Sequence, residues 1–134
     1  MEIFIKAQPY QDMRYSTCGD YWFDAEEGRY DIRVVETGND DYDFLIMLHE
    51  LIEMYLVKKR GISEPDIMAF DIKFDESDKE GAPGDEIDCP AYKEHQFAEG
   101  MERIMCNEMN IPWHTYSDII DGLFEKASPD GIRK

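Results

Sequence analysis

His49-Glu50-Leu51-Ile52-Glu53 sets an imidazole and a carboxylate four residues apart, with a second carboxylate beside the imidazole. On a helix, positions four apart stack one turn apart on the same face. Counted around the axis, Glu53 falls about 40° from His49, while Leu56 and Leu45 fall about 20° and about 40° to its other side. The pair therefore lies in an apolar stripe, where an unpaired charge is costly. A metal ion accounts for that placement, as does a buried hydrogen bond or salt bridge, and a metal site is the first expectation. Imidazole nitrogen with carboxylate oxygen suits zinc, and also iron, manganese or nickel.

Each of the three histidines has a carboxylate four residues on: Glu53 after His49, Glu99 after His95 and Asp118 after His114. His95 is the expected partner from a second helix, because Ala91 and Ala98 lie to one side of it and small residues admit a close helix. Glu94 is the substitute ligand if His95 faces solvent. His114 is expected to cap or pack. Two histidines and one carboxylate would leave a position for water, the arrangement of a catalytic zinc site, and Glu50 would take that water's proton. With Glu99 as a fourth ligand the site closes and becomes structural. The expected ligands are thus His49, Glu53, His95 and Glu99, with Glu50 as the catalytic base. Cys18, Cys89 and Cys106 form no CxxC pair and are expected to be plain small residues.

The elements that must hold these groups are legible in outline. Residues 1–37 are β-rich, with strands expected at Glu2–Ala7, around Tyr21-Trp22-Phe23 and at Tyr30–Val35, the last two joined by a hairpin at Glu26-Glu27-Gly28. Residues 40–127 are expected to be helical. The first helix runs from about Asp41 to Arg60, capped by Asn39 or Asp40 and stopped by Gly61. It is apolar nearly all round, so it should be central. Ser63 caps a second helix, and a long acidic loop occupies 75–90. A third helix spans about 90–110, with Phe97, Met101, Ile104 and Met105 as its main apolar face. A fourth runs from about Thr115 to Lys126 and offers Tyr116, Ile119, Ile120, Leu123 and Phe124. This predicts a single α+β domain over 1–134: a small N-terminal antiparallel sheet packed on a central helix, with two or three further helices.

The chain carries 31 acidic against 14 basic residues, a net charge of −17. That balance opposes direct binding to nucleic acid or an anionic membrane. It favours cations, or a role as an acidic decoy for the basic surface of a DNA-binding protein. No apolar run approaches the length of a membrane span, and Met1–Lys6 lacks the pattern of a secretory signal. A cytoplasmic setting and an unknown peptide or protein as partner are expected.

At His49–Glu53 the chain resembles the zincin metallopeptidases, whose signature is H-E-x-x-H on a helix. Glu53 stands where their second histidine would be. The order of strands followed by an active-site helix is also similar to a minimal zincin. The resemblance implies His49 and Glu53 as zinc ligands, Glu50 as general base, a third ligand from His95 or Glu99, and hydrolysis of a peptide or amide bond. The whole chain is also similar to small uncharacterised proteins of bacteria and their phages that carry an H-E-L-I-E-type helix and a later pair like Glu94-His95.

Overall fold

The structure is a computed structural model that describes residues 1–77 and 79–127, with side chains described to Leu123. The expected domain therefore extends past the described residues at 128–134, and the side chain of Phe124 also lies outside them. Three strands, β1 (Ile3–Gln8), β2 (Gly19–Asp24) and β3 (Arg29–Val35), precede four helices: α1 (Asp40–Lys59), α2 (Glu64–Glu76), α3 (Tyr92–Glu108) and α4 (Trp113–Ala127). The class is α+β, as the sequence predicts. No helix among the described residues is long and apolar enough to cross a membrane.

The sheet is mixed, not antiparallel. Its order is β1-β3-β2, with β3 antiparallel to β2 through the expected hairpin but parallel to β1. The reason is burial. β3 carries Ile32 and Val34, both fully buried, together with Val35, so it takes the protected central place. β1 and β2 are left on the two edges, joined by residues 9–18, and β1 then runs alongside β3.

Helix α1 is central, as its all-round apolarity requires. It packs on β2 and β3 on one side and on α3 on the other. Asn39 caps it by accepting from the N–H groups of Asp41 and Tyr42, with Asp40, Asp41 and Asp43 in the first turn and Lys58 and Lys59 in the last. Gly61 adopts φ +66° just beyond, a conformation that favours glycine. Ser63 caps α2 as expected.

The inner face of α3 differs from the expected one. Phe97 and Ile104 are 55% and 63% exposed, while Ala91, Glu94, Ala98, Glu102 and Cys106 are buried. The small side chains of Ala91 and Ala98 let α3 approach α1, and the buried acids Glu94 and Glu102 find polar partners there. Side-chain size and pairing outweigh the count of large apolar residues.

Candidate metal centre

The close approach of α1 and α3 brings His49, Glu53 and His95 to one point. His49 Nε2 is 3.2 Å from His95 Nδ1 and 3.6 Å from Glu53 Oε1, and His95 Nδ1 is 3.0 Å from Glu53 Oε1. Ligands at zinc bond lengths in a tetrahedron stand about 3.3–3.4 Å apart, so the three atoms span one face of such a site. The residues could hold a metal ion.

Glu102 fixes which nitrogen of His49 faces this point. Its Oε1 lies 2.7 Å from His49 Nδ1, and its Oε2 accepts from the hydroxyl of Tyr116. A neutral His49 that donates from Nδ1 presents the lone pair of Nε2 to His95 and Glu53. Carboxylate support behind a ligating histidine is the usual means of fixing its tautomer. From the sequence Glu102 carries no assigned role, and Tyr116 is only one of the side chains that the fourth helix offers. Their contacts bridge residues 49, 102 and 116, and no local pattern encodes them.

Glu50 lies beside the triangle, with Oε2 3.8 Å from His49 Nε2. Burial, then the charge of Glu53, pushes its pKa well above the ordinary carboxylate range, against the opposing effect of His49. Burial also pushes Glu53 upward, but its contacts with His49 and His95 outweigh that and hold it low. For His49, burial disfavours the charged ring, yet Glu102, Glu53 and Glu50 outweigh it and raise the pKa well above the ordinary value. These three acids are 7–8% exposed, and among the described residues their ion-pair partners are histidines alone.

Glu99 stands elsewhere. Its carboxylate groups with Asp85 and His95 on the outer side, and its Oε2 is 3.4 Å from Arg103 Nη2. Glu94 is buried and bound to Arg60 at 2.6 Å, so it is committed to a salt bridge. His114 is exposed in the first turn of α4. Two glycines seat the site. A Cβ on Gly19 would come within 2.4 Å of Glu50 Cδ, and one on Gly84 within 2.3 Å of His95 Cγ. Gly84 belongs to the acidic loop, which thereby covers the His95 ring.

The site opens on a cleft of about 1040 Å³, walled by α1, α3, the acidic loop and α4, with Trp113 and Tyr116 on its wall. Comparisons with models of known protein families, with curated proteins and with solved structures found no match to the chain.

Proposed function

We propose that the protein binds one divalent transition-metal ion, zinc in the first place, through His49, Glu53 and His95, and hydrolyses a peptide or amide bond with Glu50 as general base. The convergence of three donor atoms at 3.0–3.6 Å, with Glu102 behind His49, carries this reading. A bound ion would supply a Lewis acid and an acidified water. Glu50 would take a proton from that water and return it to the leaving amine. Burial and the neighbouring charge of Glu53 raise its pKa, which makes it a stronger proton acceptor than an exposed carboxylate. Glu102 holds His49 in the required tautomer, and Tyr116 holds Glu102.

The test has two parts. Zinc titration should give one site per chain and a rise in melting temperature that a chelator reverses. Glu50→Gln should then abolish amide hydrolysis while keeping one zinc per chain. Turnover equal to that of the native protein would reject the mechanism. A metal-stabilised binding protein without catalysis is the second reading, favoured by the near-complete burial of His49 and Glu53. It expects the same zinc-dependent melting shift with no hydrolysis in either protein.

A further inference from the structure

Behind Glu50 and Glu53 lies a second, much smaller cavity of about 30 Å³. Gly19, Glu50, Glu53, Ile67 and Asp71 line both it and the large cleft, so the two share a wall. Its volume suits one or two water-sized groups.

Tyr21 lines this cavity. Tyr21 is 8% exposed, and its buried oxygen has no partner in strict hydrogen-bond geometry, with the carboxylate of Glu53 the acceptor within its reach and nothing donating to its lone pairs. A buried polar atom without a partner is costly, and here it marks a place where a further group belongs. The surrounding charge says of which kind. Glu50, Glu53, Asp71, Asp20 and Glu64 are on the walls, and Arg14 is the one basic side chain there among the described residues. Arg14 is committed to Asp20 through two bonds of 2.6 and 2.9 Å and stacks 4.1 Å over Trp22. Asp71 accepts from Tyr15 at 2.8 Å through one oxygen, which leaves the other for a second donor.

The cleft outside has the same sign. Nine carboxylate residues line it against one lysine, Lys79, which lies 3.8 Å from Glu86. Asp75, Glu80 and Asp121 on that wall would attract a cation from solution, and Ile46, Phe74 and Ile120 offer apolar surface to its stem.

We propose that the small cavity is a recognition pocket for a primary ammonium group, so that the cleft takes a ligand with a lysine-like side chain or a free amino terminus. An ammonium fits the volume and brings three donors to a set of acceptors that lacks them. It could bond Tyr21 Oη and the oxygen of Asp71 that Tyr15 leaves. This inference names the substrate class of the hydrolase proposed above and rests on that reading for what is cleaved. Ammonium binding itself does not need the metal.

Calorimetric titration with short peptides, blocked at both ends and varied at one central residue, tests it. The central residue is lysine, trimethyl-lysine or norleucine, and a fourth peptide has norleucine with a free amino terminus. The lysine peptide, the free-terminus peptide or both should bind at least tenfold tighter than blocked norleucine, and the arm that does so identifies the source of the ammonium. Trimethyl-lysine keeps its charge but is too bulky for the cavity and donates no hydrogen bond, so it should fall close to norleucine. Tyr21→Phe and Asp71→Asn should each weaken the preferred peptide at least fivefold. Equal binding of lysine and trimethyl-lysine would reduce the effect to surface charge and overturn the pocket. No preference over blocked norleucine in either arm, or full affinity in Tyr21→Phe, would also overturn it. Running the series with and without zinc separates the two readings. Selectivity that survives in a protein that takes up no zinc leaves the pocket standing and removes the hydrolase. Zinc binding without ammonium selectivity does the reverse.

Discussion

Buried carboxylates occur in two settings in this fold, and they are partnered differently. On the outer face of the sheet, Asp31 is 1% and Asp20 4% exposed. Arginines neutralise both: Arg29 and Arg33 reach Asp31 at 3.4 and 3.0 Å, and Arg14 grips Asp20. Those guanidiniums also stack on Phe4 and Trp22. Between α1 and α3, Glu94 is likewise held by Arg60, but the buried Glu50, Glu53 and Glu102 meet only imidazoles and the Tyr116 hydroxyl. A permanent cation closes the account at the sheet. At Glu50, Glu53 and Glu102 the positive charge depends on protonation or on something bound, which is the difference between a structural ion pair and a site.

The contrast can be broken most forcefully from the helical side. His49→Ala should lower zinc affinity at least a thousandfold, about 4 kcal/mol, in a competition titration. The same change should leave the sheet arginines undisturbed. On the sheet side, Asp31→Asn should destabilise the protein by about 3 kcal/mol in denaturant melts, because it leaves Arg29 and Arg33 without their shared partner. That loss should be equal with and without zinc; a zinc-dependent loss would mean the two settings are coupled. Glu102→Gln comes next. It keeps the shape behind His49 but removes the charge, and zinc affinity should fall ten- to a hundredfold. The smallest effect concerns pH. Burial raises the pKa of Asp71 to about 7, with Glu53 and Asp20 adding to the rise and the hydrogen bond from Tyr15 opposing it. Unfolded, the group titrates near pH 4, at about the ordinary value for aspartate. Between these values the folded chain holds more protons than the unfolded one, so this residue makes stability fall as pH rises through the window. In Asp71→Asn the fall in melting temperature from about pH 4 to 7 should be shallower.

The helix that carries His49 was readable because its signals are local. Its cap, its acidic first turn, its basic last turn and the glycine stop all lie within residues 39–61. The strands and the hairpin were readable for the same reason. The parallel pairing of β1 with β3 was not, since nothing in either segment states which edge β1 occupies. On α3 the pattern misled. Phe97 and Ile104 outweigh Ala91 and Ala98 in any count of hydrophobicity, yet small size decides which side another helix can approach. The hint was present in the alanines to one side of His95, which is why His95 could be paired with His49 from spacing alone. Glu99 shares their helix face but sits one turn short of Glu102, and only the rotation of α3 against α1 selects between them. Tyr21, Gly19 and Gly84 carried no signal at all, because their importance lies in what comes near them from distant parts of the chain.

Neither Gly19 nor Gly84 has the left-handed backbone that calls for glycine, so what these positions protect is space. A single methyl group at either one acts as a wedge driven against a side chain of the candidate site, Glu50 in one case and the His95 ring in the other. Alanine at 19 would press on the proposed base and alanine at 84 on the ring of a proposed ligand, which would make the two positions separate mechanical handles on the proposed proton transfer and on ion capture. A designer wishing to silence one step and spare the other would begin there, with one carbon atom and no change of charge.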